Sequence, residues 1–221
     1  MTQGPDTVVL VHGLWVHGIT MSLMRRRLER EGYRVFAYSY PSVRLAFAEN
    51  TARLARYLRG VGALRSHFIG HSLGGLIVLR MLEEAADVVP GRVILAGTPV
   101  AGSHAARKLV TLPCGRAALG RSMIEWMEPG RFACATGCEI GVIAGRMPLG
   151  AGRIVAPDLP APHDGAVSVE ETRLPGMRDH IVLNVSHSGM LVSRAVGHQI
   201  AAFLRDGAFD KAEVGRRKAE G

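Results

Sequence analysis

The sequence predicts a single α/β domain built around a mostly parallel β-sheet. Continuous apolar runs rich in β-branched residues recur along the chain, and they are typical of strands buried on both faces of a sheet. Amphipathic helical segments alternate with these runs from the start, as in parallel sheets with crossover helices. The 221 residues suffice for one large core. We therefore expect about six strands flanked by helices, in one domain spanning residues 1–221.

The first half of the chain supplies four of the predicted strands. Gly32 ends the first amphipathic helix, and Pro41 breaks the second strand. A glycine-rich turn after the third strand leads into a helix that extends to about Ala86. The strands are predicted at 7–11, 33–38, 66–70 and 92–96, and the two earlier helices at 19–31 and 43–59.

Residues 100–138 interrupt the alternation. Leu119, Met123, Trp126 and Met127 recur at helical spacing, and Pro129-Gly130 ends that helix. This apolar face has two interpretations: the underside of a small cap over a substrate site, or a helix packed into the ordinary core. We favour the cap.

The alternation then resumes towards the C-terminus. A strand is predicted at 139–145, followed by a Pro/Gly-rich loop at 146–163, a last strand at 180–186 and a final helix at 189–205. We expect the charged tail at 207–221 to be frayed.

The net charge of +8 raises the question of nucleic-acid binding. Only three of the 27 basic residues are lysines, and the arginines are spread over the solvated faces of the predicted helices, so we expect no nucleic-acid partner. No apolar run approaches the ~18–20 residues of a membrane span, so no integral membrane segment is expected. The N-terminus shows no secretory signal, which favours a cytoplasmic location. Nothing indicates the oligomeric state.

The cysteine pattern does not predict a metal site. Cys114, Cys134 and Cys138 are too few for a disulfide framework, and the Cys134-x3-Cys138 pair has no companion. We expect free thiols, or an incidental disulfide without a structural role, and we expect no metal and no cofactor.

The chemistry is predicted by the segment Gly70-His71-Ser72-Leu73-Gly74-Gly75. A strand, a G-x-S-x-G turn and a helix form a nucleophile elbow, in which the serine backbone is strained and its hydroxyl is exposed. Gly70 and Gly74 are needed because side chains there would collide across the turn. The alternative is a purely structural, glycine-rich turn in which the serine has no catalytic role.

A nucleophilic serine needs a histidine base and an acid that orients the base. Of nine histidines, His187 fits best because it follows the last predicted strand, where the site of an open parallel sheet lies. His180 starts that strand, and His198 lies in the final helix. His12 and His71 occupy positions within other motifs.

Asp164 is the predicted acid. It follows the 139–145 strand, precedes His187, and is succeeded by Gly165, which allows a tight loop. The rival carboxylates are Asp158, Glu170, Glu171 and Asp179.

The oxyanion of a tetrahedral intermediate needs two preorganised donors. The amide of Leu73 follows the nucleophile directly. The loop after the first strand, His12-Gly13-Leu14-Trp15, supplies the second, most simply from Leu14. The alternative for His12-Gly13 is an ordinary strand-end turn.

Over residues 7–205 the chain resembles the α/β-hydrolase superfamily, in particular bacterial lipases and esterases. The resemblance rests on 9–13, 70–75, 97–103, Asp164-Gly165-Ala166-Val167 and 187–191. It implies a serine hydrolase that cleaves short- to medium-chain carboxylic esters or lipids through an acyl-enzyme. An acyltransferase or thioesterase with the same triad, or a non-catalytic binding module, are the alternatives. We expect the acyl pocket to be formed by Trp15, Met123, Trp126, Met127, Met190 and Leu191.

Overall fold

A computed structural model describes residues 7–127, 138–150 and 152–212, except for the side chain of Arg153. Six strands form one sheet in the order β2-β1-β3-β4-β5-β6, and every neighbouring pair is parallel. The strands are β1 (Thr7–Val11), β2 (Arg34–Tyr38), β3 (Arg65–His71), β4 (Val89–Ala96), β5 (Glu139–Gly145) and β6 (Asp179–Leu183). All six predicted strands are confirmed, with boundaries shifted by a few residues.

Seven helices of the described residues connect or flank these strands. They are α1 (Ser22–Arg30), α2 (Phe47–Gly60), α3 (Leu73–Glu84), α4 (His104–Val110), α5 (Gly115–Met127), α6 (Gly152–Val155) and α7 (Arg194–Asp206). Short 3₁₀ turns lie at Gly18–Met21, Glu170–Thr172 and Ser188–Leu191. The α4 and α6 helices were not predicted, because both are short and follow Gly- or Pro-rich stretches.

The sheet is buried on both faces, as the apolar strands predict. Along β1, Val9 and Val11 belong to one core cluster, and Val8 and Leu10 belong to the other. The first cluster also takes in α2, α3 and α5, whereas the second takes in α1 and α7. The alternating sides of one strand therefore face two separate helical layers.

The apolar face of α5 packs mainly into the core. Leu119, Met123 and Trp126 are buried in the first cluster, and Met127 is half-buried against it. Gly120 interrupts the helix with φ +71°, and a Cβ there would lie 2.5 Å from the Val43 carbonyl oxygen. Leu119 and Met123 also line a cavity beside the helix, so the cap interpretation stays a prediction for this helix. Its predicted end at Pro129-Gly130 lies outside the described residues.

The C-terminal segment after α7 is packed rather than frayed over its described part. Gly207 ends α7 in the left-handed conformation, and Phe209 is buried against Phe203. The carboxylate of Asp179 accepts the Phe209 N–H at 2.9 Å and pairs with Lys211 at 2.7 Å. The predicted frayed tail is therefore corrected for residues 207–212, because an apolar anchor follows the helix.

Candidate active site

Ser72 lies at the turn between β3 and α3, with the backbone strain that the elbow motif predicts. Its φ of 54° and ψ of −125° lie outside the regions that non-glycine residues prefer. A Cβ on Gly70 would overlap the Cα of Gly75, and one on Gly74 would overlap the Val11 carbonyl oxygen. Glycines at these two positions let the strand and helix backbones meet tightly enough to present Ser72.

Asp164 and His187 lie together at the carboxyl end of the sheet. The Asp164 Oδ2 and His187 Nδ1 atoms are 2.7 Å apart, and Asp164 is only 1% exposed. Because the Nδ1 proton of a neutral His187 is held by the carboxylate, Nε2 is left as the basic nitrogen. The His187 N–H also donates to the Asp164 carbonyl oxygen at 2.9 Å, which joins the two loops.

The Asp164 loop favours an ionised carboxylate. Burial acts to raise the pKa of Asp164, but the charge and hydrogen bond of His187 outweigh it, so the pKa lies below its usual value. The N–H groups of Ala166 and Val167 contribute by donating to Oδ1 at 2.9 and 2.8 Å. An anion at this position can stabilise a positively charged His187.

The rival carboxylates have other partners. Asp158 pairs with Lys108 at 2.9 Å and lies 3.1 Å from His104 Nε2, and these neighbours lower its pKa to about 2. Glu170 pairs with Arg173. Glu171 accepts the backbone N–H groups of His104 and Ser168. Asp179 contacts Phe209 and Lys211 in the C-terminal segment. Within the described structure, none of these four rival carboxylates is paired with His187.

The two predicted oxyanion donors flank Ser72. Leu73 is the first residue of α3, and Leu14 lines the same cavity as Ser72. Neither N–H donates to another described group, so both remain available to a ligand. The loop that carries Leu14 approaches closely, since a Cβ on Gly13 would lie 3.0 Å from Cβ of Ser72.

His12 holds this loop through three buried contacts. Its Nδ1 donates to the Gly13 carbonyl oxygen at 2.8 Å, and its Nε2 accepts the Tyr40 N–H at 3.1 Å. The Tyr40 ring stacks on the imidazole, with 4.4 Å between ring centroids. Burial lowers the pKa of His12, which keeps the ring neutral and able to make both hydrogen bonds.

His71 plays a comparable part next to Ser72. Its Nε2 donates to the His187 carbonyl oxygen at 3.0 Å, and the two rings lie 4.7 Å apart. Burial first, and the nearby His187 second, lower the pKa of His71 to about 3. A neutral His71 can therefore tie the elbow to the histidine loop without adding a positive charge to the site.

A mostly apolar cavity of about 320 Å³ contains Ser72 and His187. Of the predicted pocket residues, Trp15, Met123 and Leu191 line it. Trp126 and Met127 instead pack in the first core cluster, and Met190 is buried in the second. Those three residues are not part of the cavity wall. The additional wall residues come from α4, α6 and the Asp164 loop, chiefly Ala105, Ala106, Leu109, Val155, Ala166 and Val167.

The wall residues that the sequence analysis missed carry only a weak signal. Ala105, Ala106 and Leu109 fall at helical spacing, but α4 has only seven residues. Among the described residues, no group of three or more His, Cys, Asp or Glu side chains is placed to hold a metal ion. Within the same residues, no helix combines the length and hydropathy that a membrane span requires.

Comparison with known proteins places the chain in a family. The model of the alpha/beta hydrolase family matches residues 8–209, and the chain belongs to that family. Comparison with curated protein sequences finds no significant match.

Solved structures share the fold at low sequence identity. The mature lipase BlEst2 of Bacillus licheniformis is 19% identical with a TM-score of 0.74, over 93% of this chain and 92% of that one. Phospholipase PlaB of Legionella pneumophila is 16% identical with a TM-score of 0.73, over 96% of this chain and 60% of that one. An esterase of Exiguobacterium antarcticum is 12% identical with a TM-score of 0.66, over 92% of this chain and 93% of that one.

Proposed function

We propose that the protein is a serine hydrolase that cleaves carboxylic esters through an acyl-enzyme. One observation carries this proposal: a strained Ser72 shares an apolar cavity with His187, which Asp164 holds through a 2.7 Å hydrogen bond. Nucleophile, acid and base follow in the chain order that this fold uses. The names of the structural neighbours, which include lipases and esterases, agree with the proposal.

In the proposed reaction, the Ser72 hydroxyl attacks the ester carbonyl carbon while His187 Nε2 accepts its proton. The negative charge that develops on the carbonyl oxygen is stabilised by the N–H groups of Leu14 and Leu73. His187 then donates the proton to the departing alkoxide, which leaves an acyl group on Ser72. Water activated by His187 releases the acid, and Asp164 stabilises the protonated ring throughout.

The cavity favours a modest acyl group. Its volume of about 320 Å³ lies at the small end of the ~300–1,000 Å³ range of ligand sites. Leu109, Leu119 and Met123 supply apolar surface and no hydrogen-bonding group, so a short or medium hydrocarbon chain would bind there. Long triglycerides would exceed this space.

The acceptor of the acyl group is the main alternative. An acyltransferase or a thioesterase would use the same three residues, so product analysis with added alcohol, or with a thioester substrate, separates these reactions. A binding module without catalysis is the remaining candidate, and an intact serine–histidine–aspartate set disfavours it.

Turnover of chromogenic esters of increasing acyl length tests the proposal. Ser72→Ala should abolish activity to near background, a loss on the order of 10⁶-fold. Asp164→Asn should lower kcat by about 10⁴-fold, because His187 would lose the partner that sets its tautomer.

Two rival carboxylates provide matched controls. Asp179→Asn and Glu170→Gln each remove one negative charge from groups that the described structure pairs elsewhere, and both should keep near-normal turnover. If either loses activity while Asp164→Asn keeps it, the assignment of the acid is wrong. Activity retained by Ser72→Ala would reject the mechanism.

A further inference from the structure

Four exposed apolar side chains belong to the lining of the active-site cavity or adjoin residues that line it. Trp15, Leu112, Leu149 and Ile154 are 57%, 46%, 59% and 85% exposed, and we call them the entrance rim. Trp15 itself lines the cavity, and the other three lie beside its lining residues Leu109, Gly150 and Val155. The Leu112 N–H donates to the Leu109 carbonyl oxygen at 3.0 Å, which places it one turn beyond the wall. Clustered exposed apolar groups of this kind mark interaction sites.

The two helices beside the cavity, α4 and α5, carry exposed basic residues. The sequence contains no Asp or Glu between Asp87 and Glu125, a stretch that includes all of α4 and most of α5. Arg107, Arg116 and Arg121 are exposed on these helices. Lys108 is neutralised by Asp158, so it is not counted among the free charges.

The first acid after this stretch does not offset the charge at the entrance. The Glu125 carboxylate accepts the N–H groups of Phe47 and Ala48, at 2.7 and 3.3 Å, on the side of α5 that faces α2. The helix dipole and the amides at the start of α2 therefore hold that negative charge. Among the described residues, Asp158 and Glu171 contact α4 through Lys108 and the His104 N–H, and no carboxylate is paired with Arg107, Arg116 or Arg121.

We propose that the entrance rim and the arginines of α4 and α5 dock on the surface of an anionic lipid bilayer. Apolar side chains insert at the boundary of headgroups and acyl chains, and basic residues are attracted to anionic headgroups. Docking in this orientation turns the mouth of the Ser72 cavity towards the lipid. The biological meaning of the surface rests on the proposed ester hydrolysis, but the binding itself does not require catalysis.

A nucleic acid would explain the arginines but not the rim. Phosphate binding needs cations, and an exposed Leu112, Leu149 and Ile154 would contribute little to it. A lipid surface uses both features, because it rewards apolar insertion and positive charge together. Nucleic-acid binding therefore becomes an outcome of the test.

Vesicle flotation with the Ser72→Ala protein tests docking without turnover. Vesicles of phosphatidylcholine with about one third phosphatidylserine should bind the protein, and vesicles of phosphatidylcholine alone should not. Raising the salt from 0.1 M to 1 M shortens the screening length from about 10 Å to about 3 Å and should release much of the protein. Equal binding to both vesicles, or binding to neither, overturns the proposal.

Charge variants locate the surface. Arg107→Gln combined with Arg116→Gln should weaken partitioning about thirtyfold, since each cation near an anionic surface contributes about fivefold. The matched control, Arg30→Gln with Arg65→Gln, removes the same charge at the amino end of the sheet and should weaken binding less than threefold. Equal losses in both pairs would mean that only net charge matters and would reject a docking face.

The rim variant Leu112→Ser with Ile154→Ser should lower partitioning at least tenfold, because both apolar side chains lose the lipid contact. If it has no effect, and duplex DNA displaces the vesicles, the face binds nucleic acid and the proposal fails. Turnover of a soluble short-chain ester by the rim and arginine variants, with Ser72 intact, should stay within twofold of wild type. If the protein with an unaltered rim turns over the ester but binds neither kind of vesicle, only the lipid surface is disproved. If it binds anionic vesicles but turns over no ester, only the hydrolase is disproved.

Discussion

Gly97 sets how closely β4 approaches the His187–Asp164 pair. It follows β4 with φ +58°, and its N–H donates to the Ile143 carbonyl oxygen at 2.9 Å. A Cβ at this position would lie 3.1 Å from His187 Nδ1 and 3.2 Å from Asp164 Oδ2. Both distances are tight, so a methyl group would push on the hydrogen bond that orients the histidine.

We expect Gly97→Ala to lower kcat at least tenfold, because a small displacement of His187 removes its alignment with Ser72. The left-handed backbone should also cost about 1–2 kcal/mol of unfolding free energy. Steady-state kinetics and urea unfolding measure the two effects separately.

Gly62→Ala is the matched control for Gly97→Ala. Gly62 has φ +66°, and a Cβ there would meet no described atom within 4 Å. It should show a similar loss of stability with unchanged kcat. Equal turnover in the two variants would show that Gly97 does not position the pair.

Sequence reasoning predicted that Ser72, Asp164 and His187 act together because each follows a recognisable strand and motif, and the structure brings the three residues close to one another. The same reasoning placed Trp126, Met127 and Met190 in the acyl pocket, whereas the structure packs them in the hydrophobic core. Helical periodicity shows that a face is buried, but it does not show which neighbour covers that face. For Trp126 and Met127, the covering neighbour depends on Gly120, because the kink at Gly120 turns the end of α5 towards Val43 and α2.

At the scale of elements, Trp15 connects the loop after β1, which carries the proposed oxyanion donor Leu14, to α5. Its indole Nε1 donates to the Ala118 carbonyl oxygen at 2.7 Å. The break at Gly120 explains why this carbonyl is available, since the helix does not continue regularly beyond it. Trp15 has φ 60°, so the residue next to Leu14 is held in a strained conformation.

We expect Trp15→Phe to lower kcat up to about tenfold, because Leu14 would be less firmly positioned. The effect should be smaller than the 10²–10³-fold cost of losing an oxyanion donor outright. Stopped-flow measurement of acylation would detect it, and the melting temperature should change little because the bond is exposed. An unchanged acylation rate would mean that the link has no part in the reaction.

Glu125 anchors α5 to the start of α2. Its carboxylate accepts two otherwise unpaired helical N–H groups, and Asn50 donates to the neighbouring Ser122 Oγ at 2.8 Å. We expect Glu125→Ala to lower the unfolding free energy by about 1–2 kcal/mol in urea titration.

Glu49 provides the comparison, because it is exposed in the first turn of α2 and, within the described residues, accepts no hydrogen bond from that turn. Glu49→Ala should cost less than about 1 kcal/mol, the size of a helix-dipole contribution. If both variants lose the same amount, the Glu125 contact is not a specific anchor.

The six strands were predictable because buried parallel strands have continuous apolar sequences. The helices α4 and α6 were not, since seven and four residues are too few for a clear helical period. Their positions depend on tertiary contacts, such as the Glu171 carboxylate at the start of α4. This explains why the sequence predicted little of the cavity wall that α4 and α6 supply.

At the scale of the whole molecule, buried neutral histidines make stability depend on pH. Burial lowers the pKa of His71 to about 3, whereas an unfolded chain has a histidine pKa of about 6.5. The unfolded state therefore binds a proton that the folded state refuses as the pH falls below about 6.5. The contribution of the neutral His71 to the unfolding free energy is complete above that pH and is lost progressively towards pH 3.

We expect the unfolding free energy to fall between pH 6.5 and 4.5, with His71 contributing up to about 1.4 kcal/mol per pH unit. His71→Gln should reduce the slope by about one proton, as measured by urea unfolding at several pH values. His17→Gln, the same change at an exposed histidine, is the matched control. A slope that His71→Gln does not change would show that the ring is protonated in the folded protein.

The central claim is that Ser72 is the nucleophile of an acyl-enzyme. Labelling of the folded protein with a fluorophosphonate, followed by intact mass and peptide mapping, tests it most directly. We predict one adduct, located on Ser72, that abolishes ester turnover in proportion to labelling and is absent from Ser72→Ala. No adduct in folded wild-type protein, or an equal adduct in Ser72→Ala, would contradict the account.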